Sequence, residues 1–165
     1  MNESTPGGKP VDNPSIVRVG LAAICSRRLD VRDPNGDPVR LLITKRASGS
    51  IMAGYWELPG GKIEPGETPT ECIVREAREE LGVQVDIHEE LAPVVHTYDH
   101  ATVRLHTGIG VLAPGSPAAA NLEVAEHRWV TAAEIASYRF LPANEGILLE
   151  IAGRMARADG VSPSD

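Results

Sequence analysis

Glu76, Glu79 and Glu80 are the residues of this chain whose types and spacing could do chemistry. Set three and four positions apart, they fall on one side of any helix that carries them. Their carboxylates repel one another, and the helix dipole disfavours anions in its C-terminal half. Arg75 stands four residues before Glu79, and Arg78 offers local relief. A divalent cation would neutralise the rest, and oxygen-only ligands favour Mg²⁺ or Mn²⁺ over zinc. A Glu-rich helix is more often a solvated acidic face, so the cluster taken alone leaves both possibilities open.

The flanking residues say how such a cluster would be positioned. Thr68 with Glu71 three residues on makes a capping box, and Pro69 sits at the first helical position, where its missing N–H is harmless. Gly82 falls where a helix ends in a left-handed residue. These signals predict a helix from Pro69 to Leu81, with Ile73, Ala77 and Leu81 as its apolar stripe. Upstream runs Trp56-Glu57-Leu58-Pro59-Gly60-Gly61. Here Trp56 and Leu58 are expected to anchor the segment, Pro59 to fix its direction, and the glycines to let backbone approach a ligand closely.

Gly61, then Glu67, then Arg75-Glu76-Ala77-Arg78-Glu79-Glu80-Leu81-Gly82-Val83 resembles the Nudix box, with every fixed position matched. The resemblance covers about residues 15 to 156 and implies an α/β (α+β) fold, an α/β/α sandwich around a mixed β-sheet. The order of strands and helices along the chain predicts the same architecture.

The rest of the chain agrees with one domain of 165 residues, spanning 15–157, with a mobile segment at 1–14 and a tail that frays from Ala158 to Asp165. The net charge of −7 gives no electrostatic reason to bind nucleic acid polymer or an anionic membrane. A monomer or homodimer is expected. Cys25 and Cys72 lack metal-ligand spacing and suggest reduced core thiols in a cytoplasmic protein. Strands are expected near 16–25, 40–46, 83–87, 91–98, 102–112 and 127–130. A short helix near 132–137, boxed by Thr131 and Glu134, is expected before a final helix that begins after Leu141.

Within the Nudix family the chain looks most like the MutT type, which hydrolyses 8-oxo-dGTP to the monophosphate and pyrophosphate and so sanitises the nucleotide pool. Trp56 to Glu64, Ile43 to Arg46, the spacing of Glu123 before Trp129, and Phe140 to Glu145 carry that likeness. It implies metal ligation by Glu76, Glu79, Glu80, Glu123 and the Gly60 carbonyl. It implies Arg75 as the partner that orients the acids, Glu76 or Glu123 as base, and Glu67 as a brace for the loop. Substrate contacts are expected at Arg46, Glu57, Leu58, Pro59, Gly60 and Asn144, and the Asn144 amide could meet the O6 and N7–H edge of oxidised guanine. Asn144 could equally cap the final helix. Ile51 stands where the group has a substrate-binding histidine. The alternatives are a CTP or modified-pyrimidine pyrophosphohydrolase, another Nudix diphosphatase, and a non-catalytic ligand-binding domain. The intact acids weigh against the last of these.

Overall fold

β1 (Val17–Cys25) runs through the middle of the molecule and sets its layers. The structure, a computed structural model, describes residues 15–161; the segments expected to be mobile at 1–14 and at 162–165 lie outside the described residues. Leu21, Ala23 and Cys25 enter one apolar cluster, while Ala22 and Ile24 enter a second on the opposite face. An apolar run buried on both faces is what a central strand covered by helices requires.

The sheet is mixed. β7 (Thr102–Leu112) lies parallel to β1 along its whole length, from Val17 beside Val103 to Cys25 beside Val111. The other edge of β1 is shared by β4 (Gly60–Lys62), antiparallel at Leu21 beside Gly60, and by β2 (Arg40–Lys45) at Cys25 beside Leu41. β2 continues outward to β3 (Trp56–Glu57) and β8 (Glu126–Thr131). Beyond β7 lie β5 (Val85–Glu90) and β6 (Val94–Thr97), both antiparallel to it.

One helix covers each face. α1 spans Pro69–Leu81, with the Thr68–Glu71 capping box formed in both directions and Gly82 closing it. Its Ile73, Ala77 and Leu81 are all but fully buried. Each buried Ile or Leu side chain contributes roughly 1.5–3 kcal/mol over the exposed state, so the apolar stripe, more than helix propensity, fixes α1 on the sheet. α2 (Pro142–Ala158) covers the other face through Ile147, Leu148, Ile151 and Met155. Among the described residues, no helix is long and apolar enough to cross a membrane.

Three local expectations are altered. The helix expected at 132–137 is a single 3₁₀ turn, Ile135–Ser137. Glu134 takes both the Thr131 N–H (2.7 Å) and the Thr131 hydroxyl (3.0 Å), so that hydroxyl donates and cannot cap. Asn144 does not cap α2, whose N-cap is Leu141 without a side-chain bond; Asn144 is the third helical residue and only 3% exposed. Past Ala158, where fraying was expected to start, Asp159 accepts from Arg27 (2.7 Å) and from the Val39 N–H (3.0 Å). Cys25 and Cys72 are buried and unpaired, and burial pushes their thiols up to about 12 and about 11.

Gly82 adopts φ +69°, its N–H reaches Arg78 O at 2.9 Å, and an added Cβ would stand 3.2 Å from Leu122 Cδ1. Gly82→Ala is therefore expected to cost about 1–2 kcal/mol and to lower the melting temperature by roughly 2–8 °C with the helical circular dichroism retained. An unchanged melting temperature would show that the left-handed cap carries no strain.

Candidate active site

α1 presents its acids to a loop that its own arginine holds. Arg75 donates through Nε to Glu67 Oε1 at 2.7 Å and through Nη2 to Glu67 Oε2 at 3.0 Å and Lys62 O at 3.2 Å. Its Nη1 reaches Glu76 Oε1 at 2.8 Å and Glu79 Oε2 at 3.2 Å. Glu67 also accepts the Glu64 N–H at 2.9 Å, so it closes the 64–67 turn while clamping Arg75. That geometry agrees with a bracing role for Glu67.

Two glycines let β4 lie against this cluster. A Cβ on Gly61 would fall 2.4 Å from Glu76 Oε1, and one on Gly60 would fall 2.0 Å from the Gly20 carbonyl oxygen of β1. Gly60 also donates its N–H to Glu80 Oε2 at 3.3 Å. Burial pushes Glu80 up to about 8, and the charges of Glu57, Glu76 and Glu123 add to the effect against the Gly60 N–H. Burial raises Glu76 as well, although Arg75 opposes it.

Glu123 arrives from a loop. The N–H groups of Leu122 and Glu123 both bind Glu80 O, at 3.0 and 3.2 Å, and that of Ala120 binds Leu81 O at 2.9 Å. Carbonyls that α1 leaves open at its C-terminus thus tether the segment that brings Glu123 to the cluster. The donors there are all oxygen and hold more negative charge than Arg75 answers, which suits a hard divalent cation. Among the described residues no three acidic, His or Cys side chains already enclose an ion position. The fit is one of donor chemistry, not of a preformed cage.

Beside the acids lies a cavity of about 320 Å³ with mainly apolar walls, among them Val19, Leu21, Val103 and Leu105. Arg46, Glu57 and Asn144 line it. Arg46 Nη1 spans both Glu57 oxygens at 3.2 and 3.0 Å, and its Nε donates to Ile51 O at 2.8 Å. Burial raises the Glu57 carboxyl, and Arg46 restrains the rise. Leu58 and Pro59, expected to touch substrate, are buried away from the cavity walls. They serve through backbone: the Leu58 N–H donates to Asn144 Oδ1 at 3.0 Å, and Pro59 O accepts from Ala22 N–H at 2.7 Å. The Ile51 side chain is 70% exposed, and its carbonyl supports Arg46.

Met52 and Tyr98, which the sequence did not single out, also line the cavity, as does His100, one of three histidines expected in strands and turns with some lining a cleft. Met52 holds a left-handed φ of 56°, rare for a residue with a side chain. No local motif marks Met52 or Tyr98, which come together with α2 only in the folded chain. A larger open basin of about 770 Å³ lies elsewhere, lined by Arg28, Asp30, His88 and Arg154, and its charges are largely paired with one another.

A family model described as the NUDIX domain matches residues 32–150. The chain is 31% identical over 112 residues to the CTP pyrophosphohydrolase of Escherichia coli, covering 66% of this chain and 79% of that protein. It is 29% identical over 121 residues to the 8-oxo-dGTP diphosphatase of Escherichia coli, covering 73% of this chain and 90% of that protein. Among solved structures, the MutT protein from Methanosarcina mazei Go1 superposes with a TM-score of 0.65 at 25% identity, covering 86% of this chain and 96% of that one.

Arg75 and the Glu64 N–H hold the Glu67 carboxyl at about 2, below its ordinary 4.5. Because the folded value is depressed, ionised Glu67 stabilises the fold above pH 4.5, and that contribution fades as pH falls towards 2. Glu67→Gln is expected to be less stable than the parent chain at pH 7, with the gap between their urea midpoints closing between pH 4.5 and 2. A gap that stays constant over that interval would remove Glu67 from the acid response.

Proposed function

The chain belongs to the Nudix hydrolase family and is of MutT type, and from that premise we propose that it is a Mg²⁺-dependent nucleoside triphosphate pyrophosphohydrolase. Its substrate is a guanine nucleotide, 8-oxo-dGTP or a close relative, released as monophosphate and pyrophosphate. Mn²⁺ replaces Mg²⁺. The observation that carries the proposal is the position of Glu57. It lines the apolar cavity, and it lies near enough to Glu80 for its charge to raise that carboxyl, which supports reading the base pocket and the acids as one site. A base in the cavity would point its phosphates at α1.

Glu76, Glu79, Glu80 and Glu123 would hold the cation with the Gly60 carbonyl. When bound, it would neutralise the polyphosphate and make water more acidic. The chain's own residues do the rest. Arg75 holds Glu76 and Glu79 in register, and Glu76 or Glu123 takes a proton from the attacking water. Arg46, fixed by Glu57 and Ile51, turns a guanidinium edge to the cavity. Hydrolysis of triphosphates carrying oxidised guanine would keep that base out of DNA. A second reading, CTP or a modified pyrimidine nucleotide as substrate, rests on the similarity to the CTP pyrophosphohydrolase, which matches that to the 8-oxo-dGTP enzyme.

A turnover panel of oxidised and normal nucleoside triphosphates with Mg²⁺ tests the proposal, with products identified. Release of inorganic phosphate in place of pyrophosphate, or no turnover of any nucleotide, would sink it. Glu80→Gln removes a ligand charge without volume and is expected to fold normally and lose turnover by roughly two orders of magnitude or more. Near-parental activity of that variant at saturating Mg²⁺ would take Glu80 out of the site. Arg75→Ala is expected to lower kcat and weaken Mg²⁺ dependence together; a change in KM alone would place Arg75 against the substrate instead.

A further inference from the structure

We propose that Asn121 and His127 form a positioning pair, whose hydrogen bond closes the loop that carries Glu123 and fixes that acid beside Glu76 and Glu80. The inference rests on the reading of Glu123 as a cation ligand and deepens it.

Of the acids named as ligands, Glu123 alone lies outside α1. It stands in the connection between Leu112 of β7 and Glu126 of β8, and its side chain is exposed. It lies near enough to Glu76 and Glu80 for its charge to raise both carboxyls. Arg75 pairs with Glu64, Glu67, Glu76 and Glu79 but not with Glu123. Like charges therefore push Glu123 away from α1, and the loop has to resist them.

The loop is tied on both sides of Glu123. On one side the Ala120, Leu122 and Glu123 N–H groups donate to the last carbonyls of α1. On the other, the Ala125 N–H donates to Lys45 O at 3.0 Å, where β8 begins to pair with β2. One anchor is a helix end and the other a strand, and Asn121 and His127 join them. His127 Nδ1 lies 2.5 Å from Asn121 Oδ1, six residues back in the chain. An amide oxygen can only accept, so the Nδ1–H donates.

His127 is a firm post for that bond. It pairs with Thr44 in the β2–β8 ladder, and its neighbour Glu126 is held by Arg128 at 2.8 Å and by Lys45 at 3.9 Å. A cross-link between Asn121 and His127 removes freedom from the short stretch between them, with Glu123 inside it. Neither residue is part of the cavity wall, so the pair acts through Glu123 and not on the base. A ligand already held in place loses less freedom when it binds a cation, so the bond raises affinity without adding a ligand.

The test is Mn²⁺ binding without nucleotide, read from the electron paramagnetic resonance signal of free Mn²⁺, with melting curves and with amide hydrogen exchange of the metal-free protein. Glu123→Gln is expected to weaken Mn²⁺ binding about tenfold or more. Asn121→Ala and His127→Ala are each expected to weaken it about 2- to 12-fold, with melting temperatures near the parent's. Both should speed exchange of the Leu122 and Glu123 amides and leave α1 unchanged. His127→Asn, whose Nδ2 takes the place of Nδ1, is expected to recover most of the affinity. Asn121→Ala added to Glu123→Gln is expected to cause no further loss, because the pair has nothing left to position. The inference is overturned if folded Asn121→Ala and His127→Ala bind Mn²⁺ as the parent does, or if Asn121→Ala costs the same with and without Glu123. Parental Mn²⁺ affinity in Glu123→Gln would remove the ligand reading itself, so the two failures are told apart.

Discussion

Arg75 holds four acidic residues' worth of charge in place from inside its own helix. Its three nitrogens make hydrogen bonds to Glu67, Glu76, Glu79 and the Lys62 carbonyl, and Glu64 lies within 3.9 Å. A guanidinium is always charged, and its planar fork can serve several oxygens at once in fixed directions, which a lysine cannot do. Its removal would leave Glu67 and Glu76, both largely enclosed, facing one another without a counterion. The box loop, the first half of α1 and the approach of β4 all lean on this one side chain.

Around it, packing decides distance. The apolar stripe of α1 seats the helix on the sheet, and glycine at 61 lets β4 pass where any Cβ would strike the Glu76 carboxylate. The C-terminal end of the helix also acts as a tether, because its last carbonyls hold the loop that carries Glu123. On the far face of the sheet, α2 brings Asn144 to the apolar cavity. The acid cluster and the apolar cavity are thus anchored by different helices, with β1 and β4 between them.

That division bears on the near-equal similarity to enzymes named for CTP and for 8-oxo-dGTP. In the proposed function, the acids, Arg75 and the paired glycines are machinery that any nucleoside polyphosphate would need. The apolar cavity is built from a different set: side chains of β1, β7, α2, the turn after β6 and the loop before β3, whose polar members are few and include two with hydrogen bonds to backbone N–H groups.

The helix Pro69–Leu81, its caps, the acids on one side and the layered mixed sheet were legible in the sequence, because each rests on short-range periodicity or on capping chemistry that neighbouring residues carry themselves. Arg75 as partner of the acids was legible for the same reason, being a few residues away on the same helix. The 3₁₀ turn at Ile135–Ser137 was not, because a capping pattern names a possible bond without saying which atom donates. Nor was the anchoring of Asp159, which depends on Arg27 and Val39 more than a hundred residues earlier. Asn144 shows the boundary most clearly. The sequence supplied an amide that could cap, donate or accept. Only the tertiary structure, by placing the Leu58 N–H against its oxygen and Tyr98 beside its helix, decided which of its atoms is left for a ligand, since a hydrogen bond's direction belongs to the pair and not to the residue.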